Sequence, residues 1–158
     1  MMIVTVTTDA SYCPNNSIGG YAFWISSEIG KVQYSGKFSG YLVDPNEAEL
    51  KAIGNAIYFL LQADQFKRVE KVIINTDSQT CIRLLTDPKY DNYLDTQNMI
   101  KGMLKKRRID FEMRHVKAHT NGSTSRRYVN NWCDRMAQME MRAKRKAHCA
   151  ATGLNLEE

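Results

Sequence analysis

Four acidic residues, Asp9, Glu49, Asp77 and Asp134, stand out by their surroundings in the chain. Asp9 follows the β-branched run Ile3–Thr8, and Asp77 ends an apolar segment, Val72-Ile73-Ile74, just ahead of Ser78. Glu49 lies four residues before Ile53 and eight before Ile57, which puts a carboxylate on the apolar stripe of a helix. Asp134 sits beside Cys133 and four residues after Asn130 on the last helical segment. Each has an ordinary use open to it. Asp9 suits an Asx turn, Asp77 complements a helix N-terminus, Glu49 fits the rim of its stripe, and Asp134 suits a solvated helix face.

Taken together they offer a different chemistry. If the strand before Asp9 and the strand before Asp77 are neighbours in mid-sheet, with two helices packed across them, all four carboxylates converge. Bare carboxylates that close repel, and some would be forced neutral at pH 7. A pair of Mg²⁺ ions removes the conflict, with Mn²⁺ as the substitute. Hard oxygen ligands suit Mg²⁺, which keeps waters for a substrate phosphate. Two such ions ~4 Å apart clamp the attacking and leaving oxygens of an in-line phosphoryl displacement.

The elements that must position these groups are legible in outline. Ile3–Thr8, Tyr21–Ile25 and Val32–Phe38 read as three strands joined by short connections, an antiparallel meander. The loop after Asp9 is punctuated by Pro14, Asn15, Asn16, Gly19 and Gly20. Asp44-Pro45-Asn46-Glu47 opens a helix, with Asp44 as cap, Pro45 at the first position and Glu47 at the third. Leu50, Ile53, Ile57 and Leu60 carry that helix to about Leu61. Val72–Ile74 is a strand buried on both faces. A helix follows from Ser78 to Leu85, stopped by Asp87-Pro88, and another spans Tyr93 to Arg107. Ile109, Phe111 and Met113 alternate with polar residues as a half-buried strand, and a last helix runs from Arg126 to about Ala147. The order βββαβααβα predicts an α/β fold, a mixed five-stranded sheet with helices on both faces.

Composition narrows the class. The 158 residues are 43% hydrophobic and 25% charged, enough for one core and not the pattern of a disordered chain or a coiled coil. Lys and Arg number 22 against 17 Asp and Glu, a net charge of +5 that favours an acidic partner such as nucleic acid. The four cysteines, Cys13, Cys81, Cys133 and Cys149, form no CxxC pair or zinc spacing and read as reduced, buried thiols. The N-terminus lacks the pattern of a signal peptide, and no apolar run reaches the ~18 residues of a membrane span. A cytoplasmic location with no membrane contact is expected. The organisation expected is a catalytic domain over residues 1–148 and a tail over 149–158.

The motifs around the acidic residues resemble those of type 1 ribonuclease H. TDAS (Thr8–Ser11) is similar to the family's T-D-G-S, and Asn15, Gly19-Gly20 and Tyr21 fall in step with its glycine-rich loop. AEL (Ala48–Leu50) matches its first helix, and TDSQ (Thr76–Gln79) its strand-to-helix motif. VKAH (Val116–His119) resembles V-K-G-H, and the N-x-x-C-D of Asn130–Asp134 its final helix. The resemblance spans about residues 2 to 145 and includes the order of strands and helices. It implies a ribonuclease H-like fold and Mg²⁺-dependent hydrolysis of the RNA strand of RNA/DNA hybrids, leaving 5′-phosphate and 3′-hydroxyl ends. It also implies that Asp9, Glu49, Asp77 and Asp134 hold metal, with Asp9 bridging both ions, and that His119 assists proton transfer or product release. Asn15, Asn46, Gln79 and Asn130 match hybrid-contacting positions, where an amide can read the RNA 2′-hydroxyl.

The departures define what else is expected. Ala118 replaces a glycine, and the stretch from His119 to Asp134 is longer than in the family. Pro45 replaces a polar contact residue, and the family's basic handle with tryptophans is not recognisable, since Trp24 and Trp132 occupy core positions. Phosphate contacts are therefore expected from Lys105, Lys106, Arg107 and Arg108, ahead of the basic residues Arg142, Lys144, Arg145 and Lys146 near a fraying tail. A monomer with no obligatory protein partner is expected. The rival readings are another nuclease of the same fold, a junction resolvase or transposase-like strand cutter, and an inactive nucleic-acid-binding domain.

Overall fold

The computed structural model describes residues 1–117 and 125–153. Three strands come first: β1 (Met2–Cys13), β2 (Ile18–Ser27) and β3 (Gly30–Lys37). Helix α1 (Pro45–Gln62) and a single 3₁₀ turn at Asp64–Phe66 lead to β4 (Val69–Thr76). Then come α2 (Gln79–Thr86), α3 (Leu94–Lys106), β5 (Asp110–His115) and α4 (Ser125–Thr152). The sheet order is β3-β2-β1-β4-β5. β1 and β2, and β2 and β3, pair antiparallel, whereas β4 runs parallel to both β1 and β5. This is the mixed five-stranded sheet expected from the element order.

Side-chain alternation assigns the two faces. On β2, Phe23 and Ile25 join the main core with Leu50, Ile53 and Ile57 of α1 and Ile100 and Leu104 of α3. Their neighbours Ala22 and Trp24 pack on the opposite face with Cys133 and Ala137 of α4. A period-two strand thus feeds two helical layers from one segment.

Helix α1 starts as its sequence requires. Asp44 Oδ1 accepts from the Glu47 N–H at 2.8 Å, and Pro45 takes the first turn. The Glu47 carboxylate reaches back to the Val43 N–H at 2.9 Å, one residue outside the usual capping-box partner. The Tyr93 hydroxyl donates to the other Asp44 oxygen and ties the start of α3 to this cap. Ser78 caps α2 by accepting from the Cys81 N–H at 3.1 Å.

The two largest departures from the boundaries read in the sequence both come from tertiary pairing, while β2 and β4 each begin three residues early, at Ile18 and Val69. β1 continues past Thr8 to Cys13, because Asp9 to Cys13 pair with Ala22 to Ile18 of β2. Asp9 is therefore a mid-strand residue and opens no turn. The final helix continues past Ala147 to Thr152, with Cys149 buried and accepting from Asn16 Nδ2 at 3.5 Å. Contact with the β1–β2 hairpin holds turns that the sequence alone reads as frayed.

Candidate active site

β4 pairs with β1 only as far as Thr7 opposite Asn75. Beyond that level β1 runs on while β4 gives way to Asp77 and the cap of α2. The side of β1 that β4 leaves open is where three carboxylates gather. Asp9 comes from β1, Glu49 from α1 and Asp77 from the β4–α2 junction, and their oxygens lie within 4.8 Å of one another. The Ala10 N–H serves two of them, donating to Asp9 Oδ1 at 2.9 Å and to Glu49 Oε1 at 3.2 Å.

Burial makes this cluster costly without a cation. Asp9 is 2% exposed, and Asp9 Oδ2 and Glu49 Oε2 are buried with no hydrogen-bond partner. Desolvation, followed by repulsion from Asp77, pushes the Asp9 carboxyl up to about 8. Desolvation and the charge of Asp9 hold Glu49 well above the usual carboxylate range. Two orphaned carboxylate oxygens, in a donor set made only of oxygen, fit a hard divalent cation and offer nothing to a thiolate-seeking metal.

Asp134 stands at the flank of this group. Its charge contributes to raising Asp9, and both of its oxygens accept from Gln138 Nε2, at 3.3 and 3.2 Å. Behind it, Cys133 is fully buried with Sγ 3.5 Å from the Thr7 carbonyl, and burial raises its thiol. That contact fixes α4 against β1 one residue before Asp134.

The other residues singled out by sequence fall in different places. Asn15 is exposed in the β1–β2 turn, Asn46 is half-buried in the first turn of α1, and Gln79 is exposed at the first residue of α2. The Asn46 carbonyl accepts from the Cys81 thiol at 3.8 Å, which joins the starts of α1 and α2. Asn130 is only 1% exposed, and its Oδ1 is buried without a hydrogen-bond partner among the described residues. His119 and Ala118 lie outside the described residues.

Lys105 to Arg108 are exposed but are not brought to the carboxylates. They precede Asp110, which pairs with Lys71, whereas the site lies beyond Thr76, which pairs with His115. Five residues of strand separate the two levels, roughly 17 Å at about 3.3 Å per residue. Arg107 also has a local task, since its guanidinium donates to the Leu61 carbonyl at 3.3 Å near the end of α1.

Sequence reasoning missed three supporting groups. Gln138 lies four residues after Asp134, a spacing that could have revealed it. Tyr93 on Asp44 and the Ala10 N–H on Asp9 and Glu49 join distant parts of the chain and leave no local signal.

Comparison with known proteins agrees with this arrangement. No match was found among curated protein sequences. Among solved structures, the chain resembles the N-terminal RNase H domain of Rv2228c from Mycobacterium tuberculosis, at 15% identity and a TM-score of 0.69. That match covers 94% of this chain and 99% of the other. RNase H1 from the halophilic archaeon Halobacterium salinarum NRC-1 matches at 18% identity and a TM-score of 0.67, over 87% of this chain and 96% of its own. LC11-RNase H1, solved in complex with an RNA/DNA hybrid, matches at 17% identity and a TM-score of 0.70, over 89% of this chain and 98% of its own. At these identities the structural likeness speaks for the fold. The sequence profile described as RNase H matches residues 2–142, nearly the whole length over which the carboxylate-bearing elements are laid out. On that match the chain belongs to the RNase H family, and with it to the ribonuclease H hydrolases.

Proposed function

We propose that this chain is an endoribonuclease that cuts the RNA strand of RNA/DNA hybrids with Mg²⁺, or Mn²⁺ in its place, leaving 5′-phosphate and 3′-hydroxyl ends. The observation that carries the reading is the meeting of Asp9, Glu49 and Asp77 within 4.8 Å, with two buried carboxylate oxygens lacking partners. The complex of LC11-RNase H1 with a hybrid supports the choice of substrate.

Asp9, Glu49 and Asp77 would hold the metal, and Asp134 would complete the set from α4. When bound, divalent ions supply Lewis-acid polarisation of the phosphoryl oxygens and a nucleophile available at neutral pH. The chain's own work is orientation. The Ala10 N–H fixes one oxygen each of Asp9 and Glu49, which leaves Asp9 Oδ2 and Glu49 Oε2 without a hydrogen-bond partner. Gln138 holds Asp134 through both oxygens. Asn15, Asn46 and Gln79, on the hairpin turn and the first turns of α1 and α2, would contact the hybrid, where an amide can both donate to and accept from a 2′-hydroxyl. His119 would move a proton near the leaving oxygen. Its removal should cost at most about 10²–10⁴-fold, the range of general acid–base catalysis. The reading takes the chain as a cytoplasmic monomer with no obligatory protein partner.

The test is incubation of labelled RNA/DNA, DNA/DNA and RNA/RNA duplexes with Mg²⁺ or with EDTA. Cutting confined to the RNA of the hybrid, and abolished by EDTA, is expected. Cleavage of DNA/DNA at a similar rate would point to a resolvase-like strand cutter, and hybrid binding without cutting to an inactive binding domain.

A further inference from the structure

The far turns of α4 close over the tip of the β1–β2 hairpin and the bend that follows β3. A cleft of about 130 Å³ lies between them, lined by Ile18, Ser39, Gly40, Tyr41, Lys144 and His148. Its polar groups are mainly donors. The Phe38 and Leu42 N–H groups are engaged by the carbonyls of Gly19 and Ser17, at 3.0 and 2.7 Å, while those of Ser39, Gly40 and Tyr41 between them make no backbone hydrogen bond. Lys144 makes no salt bridge among the described residues. Glu140, one turn earlier on α4, is paired with Lys37 at 3.3 Å. The His148 ring meets the exposed Tyr41 edge-on, with centroids 6.1 Å apart. An ammonium, an imidazole, a hydroxyl and a bend of unpaired N–H groups around a small open cleft suit a tetrahedral anion.

We propose that this cleft holds a backbone phosphate of the hybrid, away from the reacting bond, and that it is a phosphate anchor for a chain with no recognisable handle. The assignment rests on the hybrid reading of the active site. Two routes through the structure give its reach. Along β1, Asp9 to the hairpin at Cys13 is four residues, roughly 13 Å. Along α4, Asp134 to Lys144 is ten residues, about 15 Å. Both routes put the cleft roughly 13–15 Å from the carboxylates, beyond the phosphate at the reacting bond. Of the basic residues Arg142, Lys144, Arg145 and Lys146 on this part of α4, Lys144 is the one that lines the cleft. The bend at residues 39–41 leads straight to the Asp44 cap of α1, and the Tyr12 hydroxyl bonds to the Leu42 and Val43 carbonyls. The cleft is therefore held in fixed relation to Glu49.

The experiment measures binding of a fluorescein-labelled RNA/DNA hybrid in EDTA as a function of salt, with cleavage in Mg²⁺ run alongside. Lys144→Gln should weaken binding and flatten the slope of log K against log salt by about 0.9, one phosphate contact. His148→Gln should weaken binding further with a smaller change of slope, and Lys144→Arg should retain the wild-type slope. Lys67→Gln, the same charge loss just before β4 begins at the opposite end of the sheet, should leave the slope unchanged. Thermal unfolding of each variant checks that the helix stays folded. If wild type cuts the hybrid but Lys144→Gln keeps its slope and affinity, the anchor is overturned while the hybrid reading stands. If wild type cuts no hybrid, the reading falls and the duplex is lost as occupant. Saturable capture of inorganic phosphate, with the hybrid slope unmoved by Lys144→Gln, would assign the cleft to a free anion and overturn the proposal.

Discussion

Glu49 Oε1 accepts from the Ala10 N–H at 3.2 Å, so the first helix is pinned to the strand next to Asp9. The bond exists because β4 ends at Thr76 while β1 runs on to Cys13, leaving one margin of β1 open beside the start of α1. Two carboxylates from segments forty residues apart in the chain thus share one backbone donor.

Asp77→Asn keeps the size of the side chain and removes one charge. Turnover on the hybrid should fall by more than about 10²-fold, because losing even an outer-shell partner of a metal ligand costs 10–100-fold. Hybrid binding in EDTA should survive. A variant that turns over like wild type would remove Asp77 from the metal set.

Stability without metal should depend on pH with an unusual sign. The Asp9 carboxyl is raised from 3.8 to about 8 by burial and by Asp77, so the folded state holds a proton that the unfolded state releases. Between those values the unfolded chain binds fewer protons, and stability falls as pH rises. In EDTA the Tm should therefore drop from about pH 4 to pH 8 through this group. Added Mg²⁺ should restore it most at the alkaline end, and Asp9→Asn should flatten the profile. A metal-free Tm that climbs across this window, with Asp9→Asn showing the same climb, would contradict the assignment.

Gly20 sits where β2 passes under α4. A Cβ there would meet the Met141 nitrogen at 2.5 Å and the Ala137 carbonyl at 2.7 Å, both backbone atoms that cannot swing aside. Gly20→Ala should destabilise the fold by about 1–3 kcal/mol, the cost of overpacking. At about 2–4 °C per kcal/mol for a chain of this size, calorimetry would see the shift. Because α4 carries Asp134, activity well below the melting range should fall as well.

Asp44 caps α1 and also receives the Tyr93 hydroxyl. Asp44→Ala should cost about 1–2 kcal/mol from the lost cap. Asp44→Asn, which keeps the accepting oxygen, should recover most of it. Denaturant melts of the two variants would separate the cap from the charge.

What the sequence determined by itself is local. The helix-start chemistry of Asp44-Pro45-Asn46-Glu47 and the capping Ser78 are short-range, so α1 and α2 begin where the residues say. Element order and the identity of the acidic residues were legible for the same reason, since the types and spacings of Asp9, Glu49, Asp77 and Asp134 belong to single elements and to motifs of a few residues. What only the tertiary structure decided are matters of pairing. β1 outlasts its local propensity because β2 runs beside Asp9 to Cys13. The last turns of α4 persist because Cys149 is buried against the hairpin at Asn16. Lys105 to Arg108 lead into the strand that ends at His115, yet parallel pairing with β4 sends them to the end of the sheet remote from Asp77. Lys144 and His148, near the end of the chain, are brought to Ser39 and Tyr41. Side-chain type and spacing are written in the residues, but which strand lies beside which, and where one stops short of its neighbour, is set by long-range burial that no single segment encodes.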